Sequence, residues 1–391
     1  MRIAMLNITA GGLSSGYKKY LENTIPRLAS HPKVSKLLVG FPETMDISAW
    51  KVRFTFVEWI SLKTQSFPWQ NIGGAARRKI SQFKPDVLFI PTGRFLKIYS
   101  VPVVNMIHNM EPLANINKRN PYLVRIKNRV RAKLAKKAVQ NADLVIAVSE
   151  YVRDFLGKTW NIPRSKMSVI YHGLNYSDDR NNVKPVVIPE SWNGKFLFTA
   201  GAIRPSRGLE DIISAIDYLV SEDTHYIDNI IIAGTTHSTM NKYRHSLQKT
   251  IEKKRINDHI FFAGNLNEQE MNWCYQNCAA FIMTSRVEAC PNVALEAMSH
   301  GCLCISADNP PLPEIFAEGA LYYQSKNGKS LVEAIQTVFS WDNHQRHRSS
   351  KLAKQRAADF SWDITANETV QELEKVIDES KYHRRQKNVR L

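Results

Sequence analysis

The sequence has few cysteines and no long apolar run. Its five cysteines, Cys274, Cys278, Cys290, Cys302 and Cys304, form no paired CxxC units and have no nearby His pair at zinc spacing. This excludes a zinc finger, and we interpret the thiols as reduced and mostly buried, as in a cytosolic protein. An uncharged apolar run of about 18 residues is absent, and the start, MRIAMLNITAGG, lacks a small-residue cleavage site. We therefore expect a globular protein that is neither secreted by that route nor membrane-spanning.

Acidic residues are also scarce, since 36 Asp and Glu oppose 53 Lys and Arg and leave a net charge of +17. Residues 117–141 contain nine basic residues and no acid. Within them Leu123, Ile126, Val130 and Leu134 recur at helical spacing, which predicts an amphipathic helix with a narrow apolar stripe. Such a helix is typical of contact with anionic lipid, here through Arg125, Arg129, Lys133, Lys136 and Lys137. The alternative is a surface helix whose stripe packs on its own domain.

The apolar runs predict two domains. A chain of 391 residues with 43% hydrophobic content exceeds the usual size of one core. Short apolar runs that alternate with amphipathic stretches predict buried parallel strands in two doubly wound α/β domains. The predicted strands are residues 2–8, 36–41, 52–59, 86–91, 101–108, 142–149, 196–201, 229–234, 259–264, 279–285, 302–307 and 320–323.

A polar stretch rich in Asn, Asp and Pro separates the two halves and marks a linker near residues 176–190. We place the N-terminal domain at 1–180 and the C-terminal domain at 181–361. The neighbouring acids Asp178 and Asp179 lie in this linker with no further acid nearby, so we interpret them as a solvated turn. No metal site is predicted.

In open α/β sheets ligands bind beyond the carboxyl ends of the strands. The first strand is followed by Gly11, Gly12 and Gly16, whose backbone permits close approach to a phosphate or a sugar. Their spacing is not GxGxxG, which disfavours a nicotinamide enzyme, and a purely steric role of these glycines is the alternative. Another strand ends at His108, where an imidazole is either a core residue or a catalyst.

The C-terminal half has two charged strand ends. Arg204 and Arg207 follow a strand and precede a helix, so they suit a diphosphate bound without a metal ion, unless they are solvated surface residues. Glu288 and Glu296 flank the start of a second helix, whose N–H groups at Cys290, Pro291, Asn292 and Val293 suit phosphate oxygens. Carboxylates are good acceptors for sugar hydroxyls, so the pattern predicts a nucleotide-linked sugar. The competing role for Glu288 is a helix cap.

These residues resemble a known enzyme family. The E-x7-E spacing of Glu288 and Glu296, the GGLSSGY loop, the strand ending IHN and the AGAIRPSRGLEDII element are similar to retaining glycosyltransferases of family 4. The resemblance implies the GT-B fold, an α/β architecture of two Rossmann-like domains that face each other across a cleft. It also implies a last helix, about 362–380, that crosses back to the N-terminal domain and is capped by Ser361 or Asp363.

The same resemblance implies a role for each site residue. Glu296 would hold the ribose, Glu288 and the following backbone the transferred sugar, and Arg207 the diphosphate. His108 would lie near the anomeric carbon, and Gly11 and Gly12 would approach the diphosphate. The sequence departs from the family pattern at three positions: Ala202 replaces a basic residue, which leaves Arg204 as the candidate second phosphate contact, while Asn109 replaces an acid and His172 an Asn.

We therefore expect a metal-independent glycosyltransferase that needs no cofactor and moves a hexose from a UDP- or GDP-linked donor. The resemblance implies retention of configuration by a front-side route. With the basic helix, it predicts a peripheral enzyme on the inner face of the cell membrane that modifies a lipid-linked or lipopolysaccharide-type glycan. The alternatives are an epimerase or phosphorylase of the same fold, a silent glycan-binding protein and a nucleic-acid-binding protein. The last is disfavoured because zinc-finger and RNP-like patterns are missing.

Overall fold

The computed structural model describes residues 1–9, 14–63, 72–98, 101–114, 119–175, 182–192, 196–222 and 229–389. The chain divides into two compact units. Unit 1 comprises residues 1–110, 130–173 and 361–391, and unit 2 comprises residues 111–129 and 174–360. Residues 111–129, which we expected in the N-terminal domain, thus belong to unit 2.

Unit 1 contains a parallel sheet of seven strands, counted over the described residues, in the order β3-β2-β1-β4-β5-β6-β7. Its strands are β1 (Arg2–Leu6), β2 (Lys36–Pro42), β3 (Glu58–Leu62), β4 (Val87–Ile90), β5 (Val103–Ile107), β6 (Leu144–Ala147) and β7 (Met167–Val169). Strands β4, β5 and β6 are buried along their whole length, and β1 and β2 are buried at all but their first residue, as expected for strands covered by helices on both faces.

Unit 2 contains a second parallel sheet, whose described part has six strands in the order β10-β9-β8-β11-β12-β13. Its strands are β8 (Leu197–Ala200), β9 (Ile230–Ala233), β10 (Ile260–Gly264), β11 (Ala280–Met283), β12 (Cys304–Ala307) and β13 (Ala320–Tyr323). The predicted class, two doubly wound α/β domains, is confirmed.

The helices connect the strands. They are α1 (Ser15–Ala29), α2 (Ser48–Arg53), α3 (Gly74–Phe83), α4 (Glu111–Ala114), α5 (Tyr122–Asn141), α6 (Glu150–Trp160), α7 (Leu209–Ser221), α8 (Asn241–Lys254), α9 (Glu268–Asn277), α10 (Asn292–Ser299), α11 (Leu312–Phe316), α12 (Gly328–Ser340), α13 (Asn343–Ala358) and α14 (Trp362–Val389).

The last helix, α14, belongs to unit 1 although it follows unit 2 in the chain. It packs against α1 and β4, and its first residue, Trp362, is 1% exposed. The Ser361 hydroxyl accepts a hydrogen bond from the Asp363 N–H at 3.1 Å, whereas the Asp363 carboxylate pairs with Arg27. Of the two predicted caps, Ser361 therefore satisfies a free N–H group of the first turn.

One predicted strand is wrong in position. Residues 52–59 end helix α2, pass through a turn and only then enter β3 at Glu58. Phe54 and Val57 lie in the turn between α2 and β3, and their side chains are nevertheless buried. Their apolar character therefore does not indicate an extended backbone. A short strand, β7, was not predicted, because its three residues are too few to show a pattern.

Candidate functional site

The candidate donor site lies in unit 2, where the sheet order reverses. Strands β8 and β11 are neighbours, but the chain leaves β8 toward β9 on one side and reaches β11 on the other. Loops that leave two such strands diverge, so they open a crevice at the carboxyl end of the sheet. Arg207 follows β8 and Glu288 follows β11, so both predicted residues are at this position.

The loop after β8 places the Arg207 guanidinium against backbone. Gly201 has φ +133°, and a Cβ atom added to it would lie 2.3 Å from the guanidinium carbon of Arg207. A residue with a side chain would therefore displace the guanidinium. The Arg207 carbonyl accepts a hydrogen bond from the Thr284 hydroxyl at 2.7 Å, which fixes this loop to the end of β11.

Arg207 and Glu288 contact each other directly. The Nη1 atom of Arg207 donates to Oε1 of Glu288 at 2.7 Å and to the Ser285 hydroxyl at 3.1 Å. Both charged side chains are largely buried, with 20% and 17% of their surfaces exposed. Glu288 makes no cap for α10, whose N-cap residue is Pro291, so the capping alternative is wrong.

Arg204 points to a different acid. Its Nη1 atom forms an ion pair with Oε2 of Glu111, the first residue of α4, whose side chain is 13% exposed. Both residues belong to unit 2. Arg204 is thus held in a defined ion pair three residues before Arg207, and the alternative of a freely solvated surface arginine does not describe it.

Helix α10 begins beside Glu288. Asn292 is its first residue, and the predicted donors were the N–H groups of residues 290–293. Pro291 has no N–H group, so this part of the prediction is wrong, and Pro291 contributes only a fixed backbone angle. Cys290 precedes it and is buried. The N–H groups of Asn292 and Val293 lie in the first turn, ahead of the regular hydrogen bonds of the helix interior.

Glu296 lies one turn further along α10, where its Oε2 atom accepts a hydrogen bond from the Tyr275 hydroxyl at 3.0 Å. Tyr275 belongs to α9 and is 2% exposed. Burial, and secondly the Glu296 charge, raise the pKa of Tyr275 well above its ordinary value, so its hydroxyl stays protonated and donates. Sequence reasoning missed Tyr275, since nothing in the chain relates two residues 21 positions apart.

A buried ion pair supports both charged loops. Asp211 on α7 accepts from Arg286 at 2.7 Å and from the Tyr323 hydroxyl at 2.9 Å, and its side chain is 5% exposed. The Arg286 backbone N–H in turn donates to the Ser206 carbonyl at 2.6 Å. Arg286 therefore joins the loop of Arg207 to that of Glu288. This pair was also missed, because the two charges are far apart in sequence.

In unit 1, His108 directly follows β5 and meets His172. Nδ1 of His108 and Nε2 of His172 are 2.8 Å apart, so one ring donates to the other. The rings of Tyr17 and Tyr20, both on α1, lie 5.2 and 4.5 Å from the His108 ring. Burial, and secondly the His172 charge, lower the pKa of His108 well below its ordinary value. His108 is thus a neutral imidazole at pH 7.

Gly11 and Gly12 lie outside the described residues, as do Asp178 and Asp179. Within the described ranges, no group of three or more His, Cys, Asp or Glu side chains is arranged to hold a metal ion. None of the described helices is long and apolar enough to cross a membrane.

The predicted basic helix exists as α5, but the predicted stripe is only partly buried, at Val130 and Leu134. Leu123 and Ile126 are 78% and 39% exposed, and the neighbouring Tyr122 is 70% exposed. The buried positions are instead Asn128, Ala135, Ala138 and Val139. Leu123 and Ile126 are thus exposed, and the alternative of a stripe that packs on its own domain stays a prediction for Val130 and Leu134. Of the five basic residues, Arg129, Lys133 and Lys137 are exposed and Arg125 and Lys136 are partly exposed.

Two protein families match successive parts of the chain. Residues 21–178 match Glycosyltransferase Family 4, and residues 184–356 match Glycosyl transferases group 1. The chain belongs to glycosyltransferase family 4 and has the GT-B fold.

Particular relatives agree with this assignment. The chain is 27% identical over 205 residues to the O-antigen chain mannosyltransferase RfbU of Salmonella typhimurium, across 52% of this chain and 53% of that protein. It is 24% identical over 181 residues to the O-antigen biosynthesis glycosyltransferase WclY of Escherichia coli, across 45% and 47%. The chain thus spans about half the length of these curated relatives. Anabaena HepE in complex with UDP has a similar fold, with TM-score 0.70, 17% identity and coverage of 96% and 100%.

Proposed function

We propose that the protein is a retaining glycosyltransferase that moves a hexose from a nucleotide diphosphate sugar to a lipid-linked or polysaccharide-type acceptor. The observation that carries the proposal is the Arg207–Glu288 pair at the switch point of the unit 2 sheet, beside the first turn of α10. A diphosphate needs cationic donors, and a sugar needs planar acceptors. Arg207 supplies the cationic donor and Glu288 the planar acceptor, and the two side chains lie within hydrogen-bonding distance of each other. The names of the O-antigen relatives support a glycan acceptor.

In the proposed reaction, the bond between the anomeric carbon and its phosphate oxygen breaks, and the electron pair leaves with the phosphate. The acceptor hydroxyl oxygen bonds to the face that the leaving group vacates, and its proton passes to the departing phosphate. Negative charge grows on the phosphate in the transition state, so a preformed cationic site accelerates this step. We assign that stabilisation to Arg207, Arg204 and the N–H groups of Asn292 and Val293, without a metal ion.

The remaining residues have binding roles in this proposal. Glu288 accepts hydrogen bonds from the sugar, and Glu296 accepts them from the ribose. We assign the neutral imidazole of His108 to the recognition of the sugar near its reacting carbon. The Nε2 atom of His108 is buried and has no hydrogen-bond partner among the described residues, and an unsatisfied buried polar atom of this kind calls for a role, which the proposal gives it.

Nucleotide binding tests the proposal. We would titrate the wild type with UDP, GDP and ADP by calorimetry, with and without EDTA. We expect one nucleotide to bind with EDTA-insensitive affinity, and Glu296→Ala to weaken it by about 1 to 3 kcal/mol, the cost of lost hydrogen bonds to a charged group. The control is Glu333→Ala, which removes an exposed carboxylate of α12 in the same unit. If none of the three binds, the glutamates are structural and the proposal fails.

We further propose that α5 binds an anionic membrane surface, on the inner face of the cell membrane. Leu123, Ile126 and Tyr122 are exposed apolar side chains beside exposed basic residues of the same helix. Apolar burial in the headgroup region and attraction to anionic lipid reinforce each other, at about 1 kcal/mol per basic residue near the surface. Binding at the membrane surface would bring the enzyme to a lipid-linked acceptor.

Vesicle flotation tests the membrane contact. We expect the variant Lys133→Glu, Lys136→Glu, Lys137→Glu to lose flotation with phosphatidylglycerol vesicles that the wild type retains. The matched control is Lys242→Glu, Lys249→Glu, Lys253→Glu on α8, which changes the net charge equally at three exposed residues. An equal loss of flotation in the two variants would show that the total charge of the protein, and not α5, attracts the lipid. Flotation of both variants at the wild-type level would show that these basic residues are not needed.

A further inference from the structure

Tyr275 is buried beside the proposed ribose-binding glutamate. Its hydroxyl donates to Oε2 of Glu296 at 3.0 Å. The residue lies on α9, and the carboxylate it meets lies on α10, so the bond joins two elements that are separate in the chain. A hydrogen bond from a neutral donor to a carboxylate oxygen is strengthened by the charge and restrains the position of that oxygen.

The tyrosine ring is held on several sides. Phe198 of β8 and Phe281 of β11 contact it edge-on, with ring centroids 5.3 and 5.8 Å away. The ring of His300 stacks on it at 5.2 Å. Side chains packed in this way keep one rotamer, so the hydroxyl has little freedom to leave the carboxylate.

The backbone of Tyr275 and the base of Glu296 are anchored as well. The Tyr275 carbonyl accepts from the Cys302 thiol at 3.1 Å. The Glu296 carbonyl lies 2.8 Å from Nδ1 of His300, the same ring that stacks on Tyr275. The backbones of Tyr275 and Glu296 are therefore anchored, as well as the hydrogen bond between their side chains.

We propose that Tyr275 is a positioning residue that orients the Glu296 carboxylate for the ribose hydroxyls of the donor. The inference rests on the proposed function, since it assigns a role to a residue behind the same site. A carboxylate oxygen has two lone pairs, so Oε2 accepts from Tyr275 and still accepts from a ribose hydroxyl. Without the phenol, the carboxylate loses this restraint, and two-point recognition of the diol then costs more ordering.

The test compares nucleotides with and without the ribose hydroxyls. UDP, GDP and ADP are titrated first, and the tightest is then compared with its 2′,3′-dideoxy counterpart, in the wild type and in Tyr275→Phe. The control variant Tyr243→Phe removes a matching phenol, which donates to Glu210 at 3.1 Å in the same unit. Thermal unfolding of all three proteins checks that each is folded.

We expect the wild type and Tyr243→Phe to bind the ribose form roughly tenfold or more tightly than the dideoxy form, since hydrogen bonds to a charged group are lost. In Tyr275→Phe this ratio should fall to about threefold or less, with dideoxy affinity unchanged. A folded Tyr275→Phe that keeps the wild-type ratio overturns the inference and leaves the proposed function standing. Absence of binding to all three nucleotides overturns both, and equal loss of both forms reduces Tyr275 to a packing residue.

Discussion

Arg207 and Glu288, which bracket the switch point of the second sheet, bind each other through Nη1 and Oε1 at 2.7 Å. Both side chains are largely buried, and each charge is balanced by the other. In the proposed enzyme, a donor that binds to Arg207 competes with Glu288 for the same guanidinium. The balance of this pair therefore sets both affinity and turnover.

The variant Glu288→Gln should separate these two quantities. We expect the nucleoside diphosphate to bind as tightly as to the wild type or more tightly, because Arg207 loses its charged competitor. We expect kcat for sugar transfer to fall by about 100-fold, on the order of the loss of one preorganised polar contact that strengthens in the transition state. Calorimetry with the nucleotide and steady-state kinetics measure the two effects. Loss of nucleotide affinity with unchanged kcat would contradict the assignment of Glu288 to the sugar.

A methyl group at Gly201 should displace the Arg207 guanidinium. We expect Gly201→Ala to lower nucleoside diphosphate affinity by about 1.5 to 3 kcal/mol, the value of hydrogen bonds to a charged group. The control is Gly264→Ala, because Gly264 also has positive φ but a Cβ there would have no heavy atom within 4 Å. Both variants should lose about 1 to 3 kcal/mol of stability from backbone strain. Equal nucleotide affinity in the two variants would show that strain, and not Arg207, matters.

Two aspartates of α7 should differ widely in their effect on stability. Asp211 is buried and bonded to Arg286, Tyr323 and the Lys326 N–H, so Asp211→Asn should destabilise unit 2 by about 3 to 5 kcal/mol. Asp217, on the same helix, pairs with Lys254 with about a third of each side chain exposed, so Asp217→Asn should cost about 0 to 1 kcal/mol. Denaturant unfolding measures both, and similar losses would refute the role of the buried pair.

The depressed pKa of His108 should make unit 1 less stable in acid. The unfolded chain binds a proton at His108 below about pH 6.5, whereas the folded chain resists it to lower pH. The contribution is therefore fully present above about pH 6.5 and is lost progressively as pH falls below it. Tyr17 and Tyr20 of α1, both with raised pKa values, stay neutral throughout this range.

Unfolding of the wild type and of His108→Asn at about pH 5 and about pH 7.5 measures this contribution. Between the higher and the lower pH, the free energy of unfolding should fall by roughly 1 kcal/mol more in the wild type than in the variant. His172→Asn should retain most of the dependence, since burial is the larger cause and the His172 charge the smaller. A variant His108→Asn with the wild-type pH dependence would contradict this assignment.

The sequence is sufficient for those parts of the fold that depend on local patterns. Eleven of the twelve predicted strands coincide with observed ones, because a buried parallel strand is a continuous apolar run. The exception, residues 52–59, shows that buried Phe54 and Val57 reach the core from a turn. The turn is not visible in the pattern, because apolar content records burial and not backbone shape.

The same distinction holds at the site. Arg207, Glu288 and Glu296 follow strands that a pattern reveals, so the sequence places them. Tyr275, Asp211 and Arg286 act through partners that are distant in the chain, and a pairing of this kind has no local signal. On α5 the apolar spacing of Leu123 and Ile126 predicted a helix correctly, but burial is carried by small residues such as Ala135 and Ala138.

The return of α14 to unit 1 has a consequence for biosynthesis. Trp362, Tyr20 and His172 form one aromatic cluster, and Thr365 donates to the Tyr171 carbonyl at 2.8 Å. Residues 1–173 therefore leave the ribosome long before α14, which packs against α1 and β4, and unit 1 is complete only after unit 2 has been translated. A nascent chain stopped before residue 361 exposes Tyr20 and His172, so premature termination near the end yields an aggregation-prone product and not a shortened enzyme.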